Sequence, residues 1–426
     1  MHDIPSDTNI RRPGATDAPA TKTVDFDNVI AGMAQVADAL NTGHKLTARQ
    51  EQQLFDICGT LSSRLKETTP QLRISESIPM KIALDMGIFD FVCGSDKDEF
   101  TAQEIATATG ADPVLVERIM RPLVLSRLFS PTPRNTYKPN QSATHLAPGA
   151  YMRDMVIFTQ EVTDLVALKL PAFLAEGKYE NPDGRGASAF QHTFQTEDPF
   201  YTWLQKRPAL YSAFCGMMKS TEDLAARWAD LFPVHERFER FRGPAAGETL
   251  RLVDVAGGRG FNLQYLLDQV PDLKAELTLQ DLPEVLGDSR RAAAPAHVHP
   301  SITEMPHNFF DVQPVKGAHV YVLTRVLHNW PDDGCRRILR NIKEAMDEDS
   351  ILLIGDKVFP AGAAEVTSLD VTADLVMMML FGAMERTENQ VRELLAEVGL
   401  ELVRVWRADG AVKDQEGVLE ARVRRG

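Results

Sequence analysis

The sequence predicts an α/β protein in which a doubly wound parallel sheet follows a separate, mostly helical domain. Two observations carry that fold class. From about residue 248 onward, short β-rich runs at 252–255, 277–280, 320–324 and 351–354 alternate with helical patterns such as 262–269 and 335–346. This is the signature of βαβ units. The first of these runs ends in Ala256, Gly257, Gly258, Arg259 and Gly260 and passes straight into a helical pattern. A parallel sheet builds a nucleotide site this way, because glycine lets backbone approach a ligand and the helix N-terminus faces it.

Taken in order, residues 1–25 are rich in Pro, Thr, Asp and Ala without periodicity and read as a disordered tail. A helical domain is expected over 26–155. It opens with two apolar stripes, one through Val29, Ile30, Met33, Val36, Ala37 and Leu40, the other through Leu54, Ile57, Leu61 and Leu65 after a Thr47–Gln50 capping box. The stripes fit either packing within their own domain or a dimer interface. Further on, Thr101 starts a helix that Gly110 ends, and Asp112 with Pro113 starts the next. The segments 128–130 and 136–138 then pair as a two-stranded wing. Helix-turn-helix plus wing is a DNA-binding shape. The would-be recognition helix, however, offers only Arg118 and Arg121 beside Asp112 and Glu117, so the arrangement reads as structural.

A second domain is expected over 156–426, with a helical lead-in. Its aromatic stretch, including Phe190, Phe194, Phe200, Tyr201 and Trp203, fits either a pocket wall or an inter-helix core. At the far end, 401–406 and 418–423 straddle a turn and form an antiparallel hairpin at the sheet edge.

Composition narrows the function. A formal net charge of −14 argues against nucleic acid as the main partner, since phosphate binding needs a basic surface. Cys58, Cys93, Cys215 and Cys335 form no CxxC pair, so neither a zinc site nor a disulfide framework is indicated. No apolar run approaches the roughly 18 residues of a membrane span, and the N-terminus lacks a signal-peptide core. A cytoplasmic protein acting on a small molecule is the expectation.

In a doubly wound sheet, ligands sit outside the carboxyl ends of the strands. The strict G-x-G-x-x-G pattern is not met, because Leu263 stands where the third glycine belongs. An adenosine-type ligand without a pyrophosphate fits better than a dinucleotide. Asp281, ending the second run, is placed for ribose hydroxyls. Past the later runs come Asn308, Phe309, Arg325, His328 and Asp356. His328 precedes Trp330, Pro331, Asp332 and Asp333, which open a helix. With an ordinary pKa near ~6.5 it takes a proton at neutral pH.

Four local patterns, in order and at matching spacing, resemble the plant and fungal small-molecule O-methyltransferases that use S-adenosylmethionine, the caffeic-acid type. They are 253–260, 281–283, 326–333 and Glu385-Arg386-Thr387, and the resemblance runs from about residue 75 to the C-terminus. It implies a Rossmann-like class I methyltransferase domain with an N-terminal winged-helix dimerisation domain, hence a homodimer. It also implies that Gly257 and Gly258 approach the methionine portion of S-adenosylmethionine, Asp281 holds its ribose, Asn308 and Phe309 contact adenine, and Thr324 and Arg325 close the site. His328 would be the general base for a phenol or enol, supported by Asp356 and Glu385, and Met378 and Met379 would line the acceptor pocket. Three positions depart from the family pattern. Ala256 replaces a glycine, Asp356 is a methylene shorter than the usual glutamate, and Asn329 replaces an aspartate near the sulfonium. Relatives that bind the cofactor but run pericyclic or dehydration chemistry form the alternative, with His145 and His192 as further polar candidates.

Overall fold

The computed structural model describes residues 77–425 apart from 133–135, 185, 225–226, 240–248, 292–298, 363–365 and 408–415. The expected tail and the two apolar stripes before residue 66 lie outside the described residues.

The N-terminal part has the expected helix-turn-helix and wing. Thr101 and Glu104 form a reciprocal capping box, and Gly110 ends the Ala102–Thr109 helix in the left-handed conformation. Asp112 accepts hydrogen bonds from the Val114 and Leu115 amides, and Pro113 occupies the first turn of Pro113–Leu125. The wing strands β2 (Phe129–Pro131) and β3 (Thr136–Pro139) pair antiparallel, and β1 (Phe100–Thr101) adds a third strand in the order β1-β3-β2. Two residues are too few to leave a periodic signal, so β1 is invisible in the sequence. Ile105, Val116, Met120, Leu123, Phe89 and Phe129 form the core of this part.

The helical lead-in contains Tyr151–Phe158 and Asp164–Glu176, joined through one π-helical turn, Thr159–Thr163. Most of the aromatic stretch is core. Phe190, Phe200 and Trp203 are buried and pack edge-to-face on one another, alongside Phe158, Met379 and Leu380.

The large sheet has eight strands: β4 (Leu250–Val255), β5 (Ala275–Asp281), β6 (Ile302–Pro306), β7 (Val320–Thr324), β8 (Ile351–Phe359), β9 (Arg386–Thr387), β10 (Leu400–Trp406) and β11 (Glu416–Val423). Its order is β10-β11-β8-β7-β4-β5-β6, with β9 pairing with β8. Strands β4 to β8 are parallel, and the β10–β11 hairpin closes one edge antiparallel. The central strands β4, β7 and β8 are buried on both faces, whereas the edge strand β6 is partly exposed. One face carries Ile338, Leu339 and Ile342 of the helix Asp332–Lys343, together with Leu394 and Leu395. The other carries Trp228, Phe232, Leu263 and Leu266. The chain runs outward from β4 to β6 and then returns to lay β7 on the opposite side of β4. That reversal is the switch point where such sheets bind ligands.

Candidate active site

Strand β4 ends at Val255, and the next residues fold into a tight loop. Ala256, Gly258 and Gly260 all adopt the left-handed conformation, with φ of 58°, 60° and 77°. The glycines do different jobs. A Cβ on Gly257 would lie 2.5 Å from Asp254 Oδ2 and 2.6 Å from Leu279 Cδ1, so packing within the sheet demands glycine there. A Cβ on Gly258 would meet open space, so its requirement is the backbone turn. Ala256, the family departure, carries a side chain in a conformation that costs an L-residue roughly 1–2 kcal/mol. The loop is tied to β5 through Asp281, whose carboxylate accepts from the Gly258 amide at 2.8 Å and the Leu282 amide at 2.7 Å. Burial pushes the Asp281 pKa up, and these two hydrogen bonds partly oppose the rise.

Asp254 is fully buried, and neither of its carboxylate oxygens has a hydrogen-bond partner among the described residues. Burial first, and the charge of Asp281 second, push its pKa up to about 7. A buried carboxyl without donors is expensive unless a cation or donor meets it. Beside it stand a loop with open space at Gly258 and the N-terminus of the helix Phe261–Gln269. A ligand that brings an ammonium or sulfonium charge and ribose hydroxyls suits this donor set. Sequence reasoning gave Asp254 no role, although its signal was present: one acid inside the apolar run Leu252-Val253-Asp254-Val255.

On the neighbouring strand ends, a buried reciprocal amide pair, Gln280 with Gln313 at 2.8 Å each way, holds the segment after β6 against β5. The exposed Asn308 closes a turn on itself, its Oδ1 accepting from the Phe310 amide at 3.0 Å. Phe309 packs edge-on against Phe310 and Trp330. Tyr201 packs against Phe200, Phe214 and Phe381; although 40% of the residue is exposed, shielding of its hydroxyl and the charge of Asp281 both push its pKa up. Met379 belongs to the aromatic core, whereas Met378 is half-buried.

Arg325, directly after β7, has φ of 55°. Its amide donates to the Gly355 carbonyl at 2.9 Å, and its guanidinium meets Glu416 at 3.3 Å. Asn329 explains its own departure from the family pattern: its side-chain amide donates to the Arg325 carbonyl at 3.1 Å. An aspartate has no proton to give in that bond.

His328 rides on a single 3-10 turn, Leu327–Asn329, between β7 and the helix Asp332–Lys343. Its Nδ1 lies 3.0 Å from Glu385 Oε1, across 57 residues of sequence. A carboxylate only accepts, so Nδ1 carries the proton and Nε2 is left as the basic nitrogen. Burial lowers the His328 pKa, but the Glu385 hydrogen bond and the charges of Asp356 and Glu385 outweigh it, and the net direction is upward. Asp356 lies on β8, one residue beyond the level at which Thr324 of β7 pairs with Gly355. It acts on His328 through its field, without a hydrogen bond, as its shorter side chain implies. Its Oδ1 is buried and unpartnered, and burial pushes its pKa to about 7. Among the described residues, five with buried unpartnered polar atoms cluster toward the carboxyl ends of the parallel strands, Asp254 in β4, Thr324 in β7, Asp356 in β8, Glu385 just before β9 and His307 just past β6; the others are on Trp228, Arg237 and Arg422. His145 and His192 lie outside this cluster; both are exposed, and His192 pairs with Glu176.

With this geometry in hand, comparisons with known proteins are decisive. Residues 180–401 match the O-methyltransferase domain, and residues 72–148 match the O-methyltransferase dimerisation domain. The chain belongs to the O-methyltransferase family. It is an S-adenosylmethionine-dependent O-methyltransferase, and its dimerisation domain supports a homodimer. It is 31% identical to demethylsterigmatocystin 6-O-methyltransferase of Aspergillus parasiticus, over 76% of this chain and 80% of that one. It is 31% identical to O-methyltransferase lepI of Aspergillus flavus, over 87% and 89%. Among solved structures, the LepI complex with SAM superposes with a TM-score of 0.78 at 25% identity, covering 94% of this chain and all of the other. A structure described as a pericyclic reaction enzyme gives 0.77 at 25% identity, over 93% and 100%. No helix among the described residues is long and apolar enough to cross a membrane.

Proposed function

We propose that this O-methyltransferase methylates a hydroxyl of an aromatic or polyketide-like small molecule, with His328 as the general base. The observation that carries the reading is the 3.0 Å contact between His328 Nδ1 and Glu385. It commits the Nδ1 proton to the carboxylate and leaves the Nε2 lone pair for the acceptor. The A. parasiticus relative, named for the 6-oxygen of demethylsterigmatocystin, supports the acceptor class.

A phenol of pKa about 10 is mostly protonated at pH 7. His328 takes its proton as the new bond forms, a contribution of about 10²–10⁴-fold. Glu385 and Asp356 stabilise the imidazolium that results. Bound S-adenosylmethionine supplies an electrophilic methyl group on a sulfonium. Gly257 and Gly258 line its methionine portion, Asp254 balances its positive charge, Asp281 holds its ribose, and Asn308 and Phe309 flank its adenine. Arg325 closes the site. Half-buried Met378 adapts to the acceptor's shape, and holding the acceptor oxygen in line supplies the remaining acceleration.

Incubation with methyl-labelled cofactor and candidate phenols checks this. Label on the product with stoichiometric demethylated cofactor is expected; substrate conversion with neither signal overturns the reading. His328→Ala should lose about 10²–10⁴-fold in kcat, with cofactor affinity nearly unchanged. A second reading, cofactor-assisted pericyclic or dehydration chemistry, rests on the likeness to the pericyclic reaction enzyme, and conversion without label is its signature.

A further inference from the structure

Arg386 follows Glu385 directly and is 5% exposed. Its Nη1 donates to the Leu327 carbonyl at 2.9 Å and its Nη2 to the Trp330 carbonyl at 2.8 Å. Nη2 and Nε also reach Asp332 Oδ1, at 2.8 and 3.1 Å. One carbonyl belongs to the first residue of the turn that carries His328 and the other to the residue just after it. Cys335 Sγ touches the same pair, each at 3.2 Å, but a thiol is a weak donor. A lone 3-10 turn has poor hydrogen-bond geometry of its own, so its orientation depends on what grips it from outside.

We propose that Arg386 is a positioning residue: by gripping the carbonyls of Leu327 and Trp330, one before and one after His328, it holds His328 where Glu385 orients its ring. The inference rests on the reading of His328 as general base. The economy of the arrangement supports it. One dipeptide supplies both the carboxylate that meets the imidazole and the cation that pins the imidazole's backbone, so the two move together. That dipeptide is fixed in turn. Arg386 pairs with Val358 of β8, two residues past Asp356, and the Glu385 amide donates to Asp374 at 2.9 Å. Asp356, Glu385 and the turn are thereby registered by one strand pairing.

The guanidinium fork is specific to this task. Its donors point in fixed, coplanar directions toward three separate acceptors, whereas a lysine ammonium radiates its protons from one point. Arg386→Lys therefore keeps the charge and loses the grip. The charged and titratable groups around His328 are Glu385, Asp356, Arg325, Glu416 beyond Arg325, Asp332 and Cys335 from the following helix, and Asp374 behind Glu385. Arg386→Lys conserves the charge at every one of these positions. A shift in His328 behaviour then reports geometry.

The test measures full-length Arg386→Lys in two ways. Steady-state kinetics should show kcat down about 10²-fold, the scale of a 1 Å misplacement, with KM for S-adenosylmethionine within about 2-fold. In 13C-histidine-labelled protein, with the His328 resonance identified by its loss in His328→Gln, the imidazole should titrate at lower pH than in the parent. A kcat within about 2-fold of the parent together with an unchanged His328 titration overturns the proposal. If Arg386→Lys does not fold, Asp332→Asn releases the fork from its exposed partner; a kcat loss of about 3-fold or more with KM for S-adenosylmethionine within about 2-fold supports the proposal, and an unchanged kcat overturns it. The titration requires no turnover. If the parent transfers no methyl group, the general-base reading fails, while the titration still decides whether Arg386 holds His328.

Discussion

The cofactor loop and the His328 turn face the same strand ends but are built on opposite principles. The loop is local: Asp254 to Gly260 is one continuous stretch, tied to the next strand by Asp281. Its carboxyl at Asp254 has no hydrogen-bond partner among the described residues, which leaves it open to a ligand's charge. The His328 turn is assembled from distant pieces: the turn after β7 brings the histidine, β8 brings Asp356, and Glu385 stands just before β9, which opens with Arg386. Its acids face a titratable group of the site itself: Glu385 meets the His328 imidazole at 3.0 Å, and the charges of His328 and Arg386 act on Asp356. A site that must receive a cation is left open in charge, whereas a site that must cycle one proton keeps a titratable imidazole against its acids and is partly compensated.

The strongest way to break this contrast is to close the loop's open charge. Asp254→Asn should weaken S-adenosylmethionine binding by about 10²–10³-fold, the scale of removing one partner of a buried charge pair, and calorimetry measures it. The same change should stabilise the unliganded protein. Because the folded carboxyl is raised to about 7, the parent's stability is fully present below its unfolded pKa and is lost as pH rises through that value. The variant's gain in Tm over the parent should therefore grow from about pH 4 to about pH 7. A constant difference across that range contradicts the assignment.

A smaller effect is expected at the compensated site. Glu385→Gln should lower kcat by roughly 10–10²-fold, a part of the general-base contribution. Since Glu385 is one cause of the raised His328 pKa, the acid limb of the rate–pH profile, which lies above the ordinary histidine value in the parent, should move to lower pH. An unmoved limb means that this pair does not govern the base. The smallest effect belongs to the loop's backbone. Ala256→Gly relieves the left-handed strain and should raise stability by about 1 kcal/mol, read as a higher Tm, with kcat unchanged; a lower Tm contradicts the strain.

The two regions also differ in how far the sequence disclosed them. The glycine loop, the strand alternation, the Thr101 and Asp112 caps and the edge hairpin were legible because each is a short-range pattern: turn chemistry, capping spacing or period-two alternation. The roles expected of His328, Asp356 and Glu385 came from family likeness, and periodicity alone said nothing of their meeting. The aromatic stretch was ambiguous in sequence, since a ring in a core and a ring on a pocket wall have the same spacing; packing put Phe190 and Trp203 inside and left Tyr201 partly exposed.

By itself, then, the sequence determined the parallel sheet, its glycine cradle and the order of the chemical groups along the strand ends, because backbone preference acts between neighbours. Tertiary structure alone decided which glycine serves packing and which serves the turn, that Asn329 clamps Arg325, that Asp254 stands without a partner, and that Arg386 grips the turn under His328. Gly257 is fixed by side chains that the fold brings against it, Asp254 by the absence of donors around it, and the Asn329 and Arg386 contacts end on backbone carbonyls. Carbonyls are common to every residue and leave no mark in a sequence.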